Sequence, residues 1–329
     1  MIGIGIIGAG HFGAVHARAI ADVEGIRLAA SCRGEGAQRL AQEFGGTAHA
    51  DWPDLLADPS VDAVVIATPH DTHEEIAIAA ANAGKHILME KPMAPTPEAC
   101  DAIIAAADRT GVALMAGHVM HFSQPCLVAR DIIASGDLGR PILGTSAMIK
   151  FWMESNRSEW HTRFETGGGM LMTAGIHALD RLVFLMGDRV AGVNALYGTF
   201  FHDQPADDTA LLSLRFANGG FGQVQSVGYR DGKMISATTL VCEHGMLALD
   251  FVNGVSVGRG ESWEQVPGSI EPDWMHRAML REWDAMREAI AGAAPKVPNA
   301  HARHVVDIIA ASRRADAERR EIALAEGAD

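Results

Sequence analysis

Along the first 120 residues, apolar positions follow two alternating patterns. Solid apolar runs occupy 2–7, 26–32, 63–67, 86–89 and 112–116, and the stretches between them repeat apolar residues every three or four positions. The runs suit strands covered on both faces, and the stretches suit amphipathic helices over 12–20, 35–44, 72–83 and 97–109. Punctuation agrees with this: Gly45-Gly46 and Gly84 close helices, and Thr96-Pro97-Glu98 opens one. Strands separated by helices over short loops require right-handed crossovers, which predicts a doubly wound parallel sheet.

The pattern changes near residue 120. A helix is predicted over 125–135, an extended stretch over 142–152 and a helical stretch over 169–186. From 190 to 266 short strands alternate with turns such as Asn218-Gly219-Gly220 and Asn253-Gly254, which predicts a large, mostly antiparallel sheet. Helices over 273–291 and 301–319 close the chain. The expected fold is α/β in two domains, 1–120 and 121–329, with no long linker between them. A chain of 329 residues is also long for one core.

Composition narrows the partners. A net charge of −14 argues against nucleic acid and anionic membrane surfaces. No apolar run reaches the roughly 20 residues that span a bilayer. Cys32, Cys100, Cys126 and Cys242 are scattered without a CxxC pair, so neither structural zinc nor a disulfide framework is expected. The strand pattern begins at Ile2 without a leader-like stretch, and a cytoplasmic protein acting on a small molecule is the expectation.

Between the first strand and helix stands Gly8-Ala9-Gly10-His11-Phe12-Gly13, a GxGxxG turn. Its glycines permit a sharp turn, close approach of a pyrophosphate, and close helix–strand packing. The helix N-terminus offers unpaired N–H groups to the phosphates. The domain is therefore expected to be a dinucleotide-binding Rossmann domain, with Gly8, Gly10, His11, Phe12 and Gly13 at the cofactor. The second strand ends Ser31-Cys32-Arg33 with no carboxylate to bond a ribose 2′-hydroxyl. Ser31 as hydrogen-bond donor and Arg33 as phosphate partner predict NADP as the preferred cofactor, with NAD possible. Thr68, Pro69, His70 and His73 follow one strand, and Glu90 and Lys91 follow another, so all are expected at the carboxyl edge of the sheet where the cofactor lies. A lysine at such a strand tip suits proton transfer or carbonyl polarisation.

These strings, with Ala83-Gly84-Lys85-His86-Ile87-Leu88-Met89-Glu90-Lys91-Pro92, Gly117-His118, Gly139-Arg140-Pro141 and Gly167-Gly168-Gly169 through Gly175-Ile176-His177-Ala178-Leu179-Asp180, resemble the Gfo/Idh/MocA oxidoreductases. That family includes glucose–fructose oxidoreductase and inositol dehydrogenase. The resemblance spans both domains. It implies a Rossmann domain, a C-terminal α/β domain with an open sheet, and an NAD(P)-linked redox reaction on a sugar, polyol or related ring. It also implies a homodimer or homotetramer built on that sheet. It assigns Lys91 as the catalytic lysine and His177 as the catalytic histidine. Four residues before His177 the family pattern has Asp, and this chain has Thr173, which hydrogen-bonds but carries no charge near neutral pH.

On the substrate side, His121 stands where members often have Arg; it either contacts substrate or is a satisfied buried histidine. Trp160 is a candidate ring-stacking residue, and Arg157 and Arg163 are candidate partners for a carboxylate. A carboxylated ring would favour a dihydrodiol or hydroxy-acid dehydrogenase. Two further alternatives are an NAD-dependent glycosidase without net redox and a non-catalytic dinucleotide sensor. No metal site is expected.

Overall fold

The computed structural model describes residues 1–32, 34–153 and 157–325. The chain divides into two units, Met1–Val119 with Met275–Arg303, and Met120–Trp274 with the residues from His304 onward.

The first unit is a six-stranded parallel sheet. Its strands are β1 (Ile2–Ile7), β2 (Ile26–Cys32), β3 (Thr47–His49), β4 (Ala63–Ile66), β5 (His86–Glu90) and β6 (Leu114–Gly117), in the order β3-β2-β1-β4-β5-β6. The order reverses beside β1, and ligands of open α/β sheets bind at the carboxyl edge of such a point. β1 and β4 consist almost wholly of buried side chains, as sheets covered on both faces require. The helices are α1 (His11–Asp22), α2 (Gly34–Phe44), α3 (Trp52–Ala57), α4 (His73–Asn82) and α5 (Pro97–Thr110). α5 shows how local chemistry sets an element's limits. The Thr96 hydroxyl accepts the Ala99 N–H at 3.2 Å, Pro97 opens the helix, and Gly111 ends it at φ 72°. The short β3 and α3 were not expected from the pattern, because three or six residues carry too little periodicity.

The second unit holds α6 (Gln124–Ser135), β7 (Pro141–Phe151), α7 (Ile176–Met186), β8 (Val190–Gly198), β9 (Thr209–Phe216), β10 (Phe221–Tyr229), β11 (Ile235–Cys242), β12 (Gly245–Asp250), β13 (Gly254–Arg259) and β14 (Ser262–Gln265). After these the chain runs through α8 (Trp274–Ile290), α9 (Asn299–Glu318) and β15 (Ile322–Ala323). Nine strands form one sheet, β14-β13-β12-β11-β7-β10-β9-β8-β15, in which only β7 and β10 pair in parallel. Along β7, β9 and β10 alternate residues are buried. Met148, Leu212, Leu214, Phe216 and Val224 join Leu179 and Leu182 of α7 in the core. The opposite side chains, among them Leu143, Phe151, Phe221, Ile235 and Val241, remain exposed.

The sequence pattern kept 121–329 together, whereas 275–303 belongs to the first unit. The reason lies in the apolar stripe of α8. Ala278, Met279, Trp283, Ala285, Met286 and Ala289 are buried, and Trp283 donates its indole N–H to His16 Nδ1 at 3.2 Å. Periodicity shows that a helix has an apolar face but not which sheet receives it.

Candidate active site

The Gly8–Gly13 turn has the form a dinucleotide needs. Gly8 holds φ 105°, and a Cβ there would stand 2.4 Å from the Ala67 carbonyl oxygen. A Cβ on Gly13 would stand 2.2 Å from Gly8 O, so that glycine sets the closeness of α1 to β1. Gly10 is different, since a Cβ placed on it meets nothing within 4 Å. The open space lies at the start of α1, where no side chain caps the helix and the first turn carries no acid. The free N–H groups and positive helix end fit a pyrophosphate. A nicotinamide dinucleotide is thus accommodated by residues of this chain.

The neighbouring loops converge on that turn. Lys91 Nζ lies 5.7 Å from the centre of the Phe12 ring. Glu90 accepts the Lys91 N–H at 3.2 Å through one carboxylate oxygen and faces His16 Nε2 at 3.0 Å through the other. Burial acts to raise the Glu90 pKa, but the His16 hydrogen bond and the Lys91 charge outweigh it and leave Glu90 below its ordinary value. Thr72 donates to the Thr68 hydroxyl at 2.7 Å, fixing the loop after β4. His70 is also buried, with its ring 5.7 Å from that of His73. His11 stays exposed beside Phe12.

Two expected cofactor contacts take other roles. His73 is fully buried, with its ring nitrogens 3.0 Å from the Pro92 carbonyl and 3.1 Å from the Thr68 carbonyl. It tethers the loop after β4 to the loop after β5, and so positions Lys91 rather than meeting a cofactor. Ser31 is fully buried and donates to Ala37 O at 2.9 Å, so its proton is committed and cannot serve a 2′-phosphate. Cys32 is buried too. Arg33, the other half of that expectation, lies outside the described residues.

In the second unit, Thr173 and His177 lie on consecutive helical segments. Residues Leu171–Gly175 form a π-helical turn, which periodicity did not reveal, and α7 follows at once. Single π-turns inside helices are common at functional sites. The Thr173 hydroxyl donates to Gly167 O at 3.2 Å and is buried, while His177 is half-buried. His121 is a satisfied histidine, with Nε2 2.8 Å from Asp180 Oδ1 and its ring against Phe184. Trp160 stacks on His161 with ring centres 3.7 Å apart, which covers one of its faces. The Arg157 guanidinium sits 4.6 Å over the Trp152 ring. Arg163 pairs with Glu159 on the exposed surface, a pair of little energetic weight.

Sequence reasoning missed Asp207. Its side chain accepts the Leu171 N–H at 2.9 Å and its carbonyl accepts the Met170 N–H at 2.9 Å, so it anchors the start of the π-turn. Arg313 braces the same segment by donating to Gly168 O at 2.6 Å. Burial pushes the Asp207 pKa up to about 6. The folded state therefore binds the extra proton between the unfolded value near 3.8 and about 6, and stability falls as pH rises through that window. Relative to Asp207→Asn, the wild type is expected to lose about 2 kcal/mol between pH 4 and pH 6.5. Denaturant melts of both proteins across pH check this; parallel curves would contradict it.

Comparison with known proteins agrees with both units. Residues 2–118 match the family described as oxidoreductase family, NAD-binding Rossmann fold, and residues 126–248 match its C-terminal domain. The chain belongs to the Gfo/Idh/MocA oxidoreductase family. A 2,7-anhydro-N-acetylneuraminate hydratase of Mediterraneibacter gnavus is 31% identical over 68% of this chain and 61% of its own length. The chain thus spans under two thirds of that relative. A levoglucosan dehydrogenase of Pseudarthrobacter phenanthrenivorans is 28% identical over 70% of this chain and 69% of its own. Among solved structures, the aldose–aldose oxidoreductase of Caulobacter crescentus is 25% identical over 98% of this chain and 99% of its own, with a TM-score of 0.87. No helix among the described residues is long and apolar enough to cross a membrane.

Proposed function

We propose that this family member is an NAD(P)-dependent dehydrogenase or reductase acting on a CH–OH or carbonyl centre of a sugar, polyol or related cyclic hydroxy compound. The observation that carries the proposal is Lys91, held at the strand tip beside Phe12 of a dinucleotide turn whose Gly10 face is open. A bound nicotinamide dinucleotide supplies hydride transfer. The amides at the start of α1 bind its pyrophosphate, and Lys91 gives or takes the proton of the substrate oxygen. The family pattern also gives His177 a catalytic role. Thr173 contributes a neutral hydrogen bond where the family pattern has a carboxylate. The relatives named for levoglucosan and aldose support a cyclic polyhydroxy substrate.

NADP is the proposed preference. Residues 31–33 include no carboxylate to repel a 2′-phosphate, and Arg33 supplies positive charge. A cytoplasmic homodimer or homotetramer is part of the same proposal, supported by the exposed Leu143, Phe151, Phe221, Ile235 and Val241 on one sheet face. The test is fluorescence titration with NADPH and NADH, then a screen of sugars, polyols and cyclic hydroxy acids, with light scattering on the same sample. NADPH is expected to bind tighter, and Arg33→Ala to weaken it by roughly tenfold while sparing NADH. Tighter NADH binding removes the NADP preference, and no binding of either removes the enzyme reading.

One comparison favours a second reading. The relative from Mediterraneibacter gnavus is named a hydratase, which implies no net redox. A redox-neutral reaction would show itself as cofactor that survives purification and substrate conversion without net change in reduced cofactor.

A further inference from the structure

The strand end that carries Lys91 meets a buried polar cluster completed by the returning helix α8. Trp283 donates its indole N–H to His16 Nδ1 at 3.2 Å, with the two rings edge to face. Since Nδ1 accepts, Nε2 carries the ring proton that His16 donates to Glu90 Oε1 at 3.0 Å. The titratable groups that act on Glu90 are His16 from α1, His73 from α4, Lys91 directly after it and Glu282 from α8. Glu282 is the unusual member. It is fully buried, and neither carboxyl oxygen has a hydrogen-bond partner among the described residues. An ionised carboxylate in that position would be desolvated and unpaired, next to a second negative charge. Burial, and then the charge of Glu90, push the Glu282 pKa well above the carboxylate range.

We propose that Glu90 and Glu282 share one negative charge, with Glu282 protonated and Glu90 ionised, and that Glu90 is the positioning residue that holds Lys91 and keeps its side chain an ammonium. An ammonium at neutral pH donates a proton to a developing alkoxide, the direction of carbonyl reduction. Alcohol oxidation must first remove that proton, so its rate rises with pH up to the Lys91 midpoint. The inference rests on the role given to Lys91 above, but it is tested without substrate or cofactor.

The chain has only five lysines, so reductive ¹³C-methylation gives a resolved NMR titration, with Lys91→Arg assigning the Lys91 signal. Glu90→Gln is expected to lower the Lys91 midpoint by about one pH unit, a tenfold shift, as loss of a nearby opposite charge does. Glu282→Gln is expected to leave that midpoint within about 0.3 units, because it replaces one neutral group by another. Equal shifts in the two variants would mean that Glu282 is ionised, and would overturn the proposal. An unchanged midpoint in Glu90→Gln would overturn it as well. If Glu90→Gln does not fold, Glu282→Gln decides alone. A melting temperature that gains on the wild type as pH rises from 6 to 8 supports a buried acid that resists ionisation; a melting temperature that loses on it overturns the proposal. Failure to find a substrate would touch the enzyme reading and leave these results standing.

Discussion

A protein with Lys91 replaced by methionine is expected to bind dinucleotide within a few-fold of the wild type and to turn over roughly 10²–10⁴-fold more slowly. Methionine keeps much of the length and apolar stem of lysine but can neither give nor take a proton. The backbone N–H of residue 91 still reaches Glu90, and the turn from Gly8 to Gly13 is untouched. The loss should therefore fall on kcat rather than on cofactor affinity. Arginine at the same position separates proton transfer from charge. It keeps a positive group but does not deprotonate, so it restores little activity if the lysine must move a proton. Activity within tenfold of the wild type in Lys91→Met would assign the proton to another group.

Replacing Gly10 by valine is expected to abolish dinucleotide binding, by at least about 100-fold or roughly 3 kcal/mol, while leaving the melting temperature nearly unchanged. Gly10 has φ −81°, and a Cβ there would have nothing within 4 Å, so a side chain meets neither strain nor a protein neighbour. It meets the volume through which a pyrophosphate approaches the amides of α1. Gly8→Ala provides the contrast. Its Cβ would strike the Ala67 carbonyl in a backbone conformation that L-residues avoid, and it should cost about 2–3 kcal/mol of folding stability. Calorimetry and thermal melts of the two variants distinguish binding from folding. Equal affinity of Gly10→Val and the wild type would place the cofactor elsewhere.

The first sheet was legible because its signals are local. Each strand is a short apolar run, each long helix has a cap or a closing glycine, and the GxGxxG turn lies where a strand meets a helix. The turn's spacing predicted a sharp turn at Gly8 and close helix packing at Gly13, and the structure shows both, with open space at Gly10. The readings that changed depend on distant partners. Ser31 resembled an available donor until the chain placed Ala37 O against it. His73 was expected at the cofactor, yet its two neighbours are carbonyls, one of them 19 positions later. Carbonyl oxygens are the same in every residue type, so no sequence pattern marks them. Asp207 was missed for a related reason, since its role is to accept an N–H from residue 171. The π-turn at Leu171–Gly175 adds one residue to a helical turn, which a search for 3.6-residue periodicity averages away.

The assignment of residues 275–303 to the first unit bears on how the protein is made. A nascent chain that has emerged only to residue 119 holds all six strands of the parallel sheet but not Trp283, so His16 and Glu90 lack the neighbour that closes over them. The dinucleotide-binding half is discontinuous, and it waits through some 150 residues of synthesis for its last helix. That half closes only after eight of the nine strands of the second sheet have been made.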